Sequence, residues 1–377
     1  MIARVVLGFV LAVVMVVTGI STYYYIGTRQ SKLAVAPLKP TAAQPTPHAF
    51  VLPGTLFFAQ EGALYSLSYG RYRQITPEQG WMQPALTPDG NLVAVKRTNF
   101  YSDLYELNVF GQPLRQMTNN QAPRRSYDTG DNHWVFYPSI SPDGKTVYVS
   151  YDQPKAGYEV DLSIWSMPIN GTITRGTNWS DEYTDPGYTG GDLQPIPIPG
   201  GVIYTRYDRM PDGSIISQLW YTNRPGSFGK AWTTPAEDCR EPSIMPGGGW
   251  LAMICTYTKQ LSYLVIAPFQ GSNIGPRQIL IQNQMVAQPT WAPDGSGIAY
   301  LAPAEGNQPF QLWFLPREAY FQPVPSPSPI PSPIPGGPYN SPSPVPSASP
   351  TPAPVIKPIQ MSTSLAFDAS STMAWSN

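Results

Sequence analysis

The side chains with chemical potential crowd into a few stretches of this chain. Residues 119–136 hold Arg124, Arg125, Tyr127, Asp128, Asp131, His133 and Trp134. Residues 178–193 hold Trp179, Asp181, Glu182, Tyr183, Asp185, Tyr188 and Asp192. Two shorter stretches add Asp152, Lys155, Tyr158 and Glu159, then Arg206, Asp208, Arg209 and Asp212. The carboxylates of 178–193 have the chemistry to hold a cation, and equally the pattern of a solvated acidic loop. Two well-placed acids are all that glycan cleavage requires. Acid–base or nucleophilic catalysis has less to work with. His48 and His133 are the two imidazoles, and His48 lies in a Pro/Ala/Thr-rich stretch. No Gly-x-Ser-x-Gly elbow, His-Glu-x-x-His pair or glycine-rich phosphate loop occurs. Residues 208–213 resemble a calcium loop faintly and lack its remaining ligands. Aromatic and charged side chains mixed on loops suit recognition. The expected binding face comprises Arg124, Arg125, His133, Trp134, Trp179, Asp181, Tyr183, Arg206 and Asp208, with no catalytic residue, metal or cofactor.

A repeat positions these loops. Pro-Ala-Leu-Thr-Pro-Asp-Gly at 84–90 returns as Pro-Ser-Ile-Ser-Pro-Asp-Gly at 138–144 and Pro-Thr-Trp-Ala-Pro-Asp-Gly at 289–295. Two worn copies, at 195–201 and 242–248, end in Pro-Gly-Gly. The anchor prolines Pro84, Pro138, Pro195, Pro242 and Pro289 are 54, 57, 47 and 47 residues apart. Each phrase precedes an apolar run rich in β-formers, such as Leu-Val-Ala-Val at 92–95 or Ile-Ala-Tyr-Leu at 298–301. Pro presets φ and Gly accepts a positive φ, so each repeat opens as strand, tight turn, strand. A third run follows, such as Ile-Trp-Ser-Met at 164–167, and a fourth is often visible. Four strands in roughly 45–50 residues predict a propeller blade.

The repeat resembles that of the TolB-type propellers: Pro-x-Trp-Ser-Pro-Asp-Gly, then Ile-Ala-Phe, Ile-Tyr-x-Met and Leu-Thr. The resemblance covers residues 54–315 and 359–377. It implies an all-β, six-bladed propeller that docks a partner on one face or in the central channel. A separate N-terminal α/β domain is missing from this chain. The run at 56–76 supplies the later strands of a blade whose first strand is expected from 364–369, so that both chain ends close the ring. Met-Ala-Trp-Ser at 373–376 resembles a second strand instead, and on that reading a seventh, incomplete blade exists.

Composition sets the surroundings. Charged residues make up 12% and the net charge is −1, which excludes a basic nucleic-acid face. Residues 1–4 precede an apolar stretch, 5–26, long enough to span a hydrocarbon core and ending in three tyrosines suited to the interface. A cleaved signal peptide is the alternative; an uncleaved signal-anchor is expected, because no small-x-small site follows directly. Residues 27–53 read as a Pro/Ala/Thr-rich stalk and 54–377 as the propeller. An insert at 321–355 holds 14 of the 45 prolines and no charge, and predicts an extended segment. Cys239 and Cys255 flank a glycine-rich turn symmetrically, so a hairpin there brings them together as a disulfide. That fits an oxidising compartment, and two buried thiols are the alternative. The expected protein is a single-pass membrane protein whose propeller binds an envelope protein or peptide outside the cytoplasm. Glycan or cell-wall binding is the second reading.

Overall fold

The computed structural model describes residues 50–123, 129–153, 155, 161–180, 188–227, 229–257, 261–282, 284–305, 308–321, 357–363 and 365–377. The apolar stretch 5–26, the stalk up to residue 49 and the insert from 322 on lie outside them. Among the described residues no helix is long and apolar enough to cross a membrane.

Six antiparallel sheets make up the fold. Blade 1 runs Trp81–Leu86, Leu92–Arg97, Ser102–Leu107 and Pro113–Gln116. Blade 2 runs Val135–Ile140, Thr146–Tyr151, Ser163–Pro168 and Thr177–Asn178. Blade 3 runs Asp192–Ile198, Gly201–Arg209, Ile215–Thr222 and Lys230–Ala231. In blade 4, Cys239–Ile244, Trp250–Cys255 and Tyr263–Gln270 are followed by two short outer strands, Asn273–Ile274 and Gln278–Ile281. Blade 5 runs Ala287–Trp291, Gly297–Pro303, Phe310–Pro316 and Ile359–Gln360. Blade 6 joins Ala374–Ser376 to Thr55–Gln60, Ala63–Ser68 and Arg71–Gln74, with Thr55 opposite Ser376 and Phe57 opposite Ala374.

The second strands are read as unbroken apolar runs because neighbouring blades cover both their faces. Leu92, Val93, Ala94 and Val95 are all fully buried, as are Leu251 through Ile254. Each buried Leu, Val, Ile or Met among them contributes about 1.5–3 kcal/mol.

The Pro-Asp-Gly phrases form the turns expected of them. Gly90 N–H donates to Thr87 O at 3.0 Å, and Gly144 N–H to Ser141 O at 2.8 Å. Gly90 has φ +88°, which a side chain would strain. Blade 3 departs from this: Ile198 pairs with Gly201 across a two-residue Pro-Gly turn. The Leu-Thr element also has a physical meaning. A hydroxyl after the fourth strand caps the third: Thr118 Oγ1 accepts from Leu104 N at 2.9 Å, and Thr233 Oγ1 from Leu219 N at 2.9 Å.

One expectation is corrected: the first strand of blade 6 is Ala374–Ser376, not 364–369; the six blades expected are the six sheets of the described residues. The segment before it is apolar for another reason. Phe367 packs into the core against Phe58, ring centres 4.5 Å apart, and its N–H reaches Phe310 O at 3.2 Å. Cys239 and Cys255 lie opposite each other in the ladder and are joined as a disulfide.

Candidate binding face and axial channel

The anchor proline shapes the inner wall. It has no N–H for the ladder, so each innermost strand bulges there. The register shifts between Met82 and Ala85, Phe136 and Ser139, Leu193 and Ile196, Arg240 and Ser243, and Ala287 and Thr290. The residue before each proline takes a positive φ without being glycine: Gln83, Tyr137, Gln194, Glu241 and Gln288, all between +50° and +57°. Such backbone is costly and persists where surroundings hold it.

Side chains of neighbouring blades do the holding. Gln83 Oε1 accepts from Tyr137 N at 2.7 Å, Gln194 Oε1 from Glu241 N at 3.1 Å, and Glu241 Oε2 from Gln288 N at 2.6 Å. Gln288 Nε2 donates to Ala369 O at 2.9 Å, and Ser371 Oγ accepts from Gln83 N at 2.7 Å. The relay runs around the axis from blade to blade. Tyr137 has no carboxamide to pass it on to Gln194, so the relay is interrupted between blades 2 and 3.

This ring surrounds a channel of about 410 Å³, lined by all six innermost strands and including Tyr137, Gln194, Glu241 and Gln288. Burial pushes the Glu241 carboxyl above its ordinary value, against the pull of Arg240. Burial, then the Glu241 charge, pushes the Tyr207 phenol up to about 12, and burial, then Tyr207, raises Tyr137. Both phenols therefore keep their protons at neutral pH and offer O–H groups.

The face that carries the crossovers between blades opens beside this channel. A second cavity of about 570 Å³ there is lined by Gly80, Met82, Arg97, Asn99 and Asp368, among others. Trp134 stacks on Phe136, ring centres 5.9 Å apart, with the Arg97 guanidinium 5.7 Å from the Trp134 ring. His133 Nδ1 lies 2.8 Å from Asp152 Oδ1, and Lys155 Nζ is 3.3 Å from Asp152 Oδ2. Asp152, itself buried, is thus shared between the His133 imidazole and the Lys155 ammonium group.

The other expected residues have different places. Trp179 donates from Nε1 to Ser166 Oγ at 2.8 Å and packs near Tyr148, Val202 and Tyr204, as a wedge between blades 2 and 3. Arg206 holds buried Asp192 through two bonds of 2.8 Å and lies 4.5 Å from the Trp220 ring centre. Burial pulls its guanidinium down, but the Asp192 carboxylate wins and holds it above its usual value. Asp208 is half-buried at the end of the same strand. Arg124, Arg125, Asp181 and Tyr183 lie outside the described residues. The structure gathers His133 and Trp134 near Arg97, and puts Trp179 and Arg206 inside the scaffold. Among the described residues no group of three acid, histidine or cysteine side chains is placed to hold a metal. Sequence reasoning missed the residue before each anchor proline, although three of the five are glutamine.

No protein-family model matches the chain. No curated protein matches it either. Among solved structures it is similar to TolB from Acinetobacter baumannii, with a TM-score of 0.52 at 15% identity, over 71% of this chain and 62% of that one. The fold is a TolB-like six-bladed β-propeller. A putative TolB from Agrobacterium tumefaciens gives a TM-score of 0.45 at 14% identity, over 70% of this chain and 85% of that one. A puromycin-hydrolyzing peptidase from Mycobacterium tuberculosis gives 0.44 at 15% identity, over 68% and 40%. The TolB-like propeller described here spans 62% of the Acinetobacter protein's length.

Proposed function

We propose that this chain is a membrane-anchored, non-catalytic scaffold outside the cytoplasm, binding an envelope protein or peptide where the channel opens on the crossover face. One observation carries the reading. The channel wall consists of six innermost strands, each with a single neighbour in its sheet, so each presents a free edge to the axis. Strand edges with no further sheet neighbour and the Tyr137 phenol O–H in the channel wall suit a polypeptide's alternating donors and acceptors. The Trp134–Phe136 stack and Arg97 at the mouth supply the side-chain types that anchor protein interfaces. The apolar stretch 5–26 provides the anchor, and the Cys239–Cys255 disulfide supports an oxidising compartment.

The test is crosslinking of the full chain in cells, comparing it with Arg97→Ala/Trp134→Ala. A defined protein captured by the parent and lost in the variant, a drop of roughly 2 kcal/mol or more in binding, supports docking at this mouth. Equal capture by both moves the site elsewhere. Capture of no protein, with retention on cell-wall polysaccharide, replaces this reading by glycan binding.

A further inference from the structure

The two faces of the disc differ in charge. On the crossover face, exposed Glu61, Glu78, Asp131, Asp212 and Glu305 outnumber exposed Arg97 and Arg209 among the described residues. Strand direction puts the first-to-second and third-to-fourth loops of every blade on the other face. There Arg71, Arg73, Lys145, Arg175, Arg224 and Lys357 are exposed. Its exposed carboxylates Asp143 and Asp294 bond within their own turns: Asp143 Oδ1 accepts from Ser141 Oγ and Lys145 N, and Asp294 Oδ1 from Ser296 N. Asp89, Lys230, Arg317 and Glu318 are exposed there as well.

The same face carries an unusual apolar patch where blades 6 and 1 meet. Tyr69 is 84% exposed, Phe110 59% and Val109 38%. Arg73 lies 5.6 Å from the Phe110 ring centre. Between them is a groove of about 340 Å³ lined by Phe57, Ile75, Arg71, Arg73 and Ser68, among others. The chain also enters the propeller here. Thr55 pairs with Ser68 and Ser376, Trp375 Nε1 donates to Pro53 O at 2.6 Å, and Val51 is exposed.

We propose that this turn face rests on an anionic phospholipid surface, with Arg71, Arg73, Tyr69 and Phe110 as the contact patch. The inference rests on the membrane-anchored reading above. Three observations single out a bilayer as the occupant: the excess of cations, aromatic side chains beside them, and the exit of the chain toward residues 5–26 from the same place. Guanidinium groups bind phosphate in a fork, tyrosine and phenylalanine settle at the headgroup level, and anionic lipid draws basic surface toward it. The acidic crossover face and channel mouth then point away from the bilayer, open to a partner.

The test uses the full chain reconstituted in vesicles of phosphatidylcholine alone or with phosphatidylglycerol. A fluorophore is placed at Tyr69→Cys, or at Phe100→Cys on the crossover face, and the quencher is carried on lipid headgroups. Quenching at 69 and not at 100, present only with phosphatidylglycerol and weakened by salt, is expected. Arg71→Glu/Arg73→Glu reduces headgroup contact on the order of tenfold or more. Phe110→Ser, which leaves the charges alone, gives a smaller loss. Near-UV circular dichroism establishes that the variants are folded. A chain that floats with vesicles but shows equal quenching at both positions, or none at 69, overturns the surface and leaves the anchor standing. Equal quenching with and without phosphatidylglycerol also overturns it. A chain that does not float with vesicles removes the anchor, and the proposal with it.

Discussion

The turn face and the crossover face are built from the same strands yet satisfy their polar groups differently. At the turns, bonds close within a few residues: Gly90 to Thr87, Gly144 to Ser141, Ser296 to Asp294. At the crossovers, bonds reach into the next blade. Ser102 Oγ donates to Val135 O at 2.7 Å and accepts from Val135 N at 2.8 Å, and Ser262 repeats the arrangement with Val286. The Pro-Asp-Gly turns close on themselves, and on their face single side chains such as Arg115, to Ile169 O, and Trp232, to Ser272 O, cross between blades. At the crossovers a serine hydroxyl binds the N–H and C=O of the next blade together. Damage should therefore stay local on the first and spread on the second.

The largest test of that contrast is Arg206→Ala. Asp192 is fully buried, and removing its partner leaves an uncompensated charge, for an expected loss of about 3–5 kcal/mol in denaturant unfolding. Cys239→Ser/Cys255→Ser opens a loop of sequence separation 16 and should cost about 3 kcal/mol by the same measurement. Peptide mapping without reductant that found both thiols free in native protein would count against the disulfide. Gln83→Ala strands the Tyr137 N–H and should cost about 1–3 kcal/mol. Hydrogen exchange should speed up at Tyr137, in the neighbouring blade.

Glu241 sharpens the comparison through pH. Burial raises its folded-state carboxyl above the 4.5 of a free glutamate. Its favourable contribution is complete below that value and is lost as pH climbs through the raised one. Thermal unfolding followed from pH 4.5 upward should show this loss, and Glu241→Gln should flatten it while keeping an acceptor for Gln288 N–H. The smallest effect belongs to the turn face: Asp294→Ala should change stability by about 0.5 kcal/mol or less, with no exchange signal in any other blade.

That division also explains what the sequence made legible. Pro-Asp-Gly declares its own turn, because everything it bonds to is nearby. The apolar runs at 92–95 and 251–254 declare strands covered on both faces. The first strand of blade 6 was misplaced because Ala374–Ser376 has only three residues and no anchor proline, while Phe367 offered a plausible apolar run. The inner ring was written in the sequence as a residue before each anchor proline. Its role depends on atoms 47 or 54 positions away, a partner that spacing alone does not name. Trp179 and Arg206 resembled binding residues for the same reason, since their partners are Ser166, Tyr148 and Asp192 in the folded scaffold.

The relay of the inner ring has a direction, and synthesis has one too. Gln83 leaves the ribosome before Tyr137, Gln194 before Glu241, and Glu241 before Gln288. Every acceptor in these three links is therefore finished before the N–H that will bind it, and each blade can dock onto one already made. Two links run against this order. Gln288 Nε2 must wait for Ala369 O, 81 residues later, and Gln83 N–H for Ser371, 288 residues later, so the bulge of the first full blade is the last to be secured.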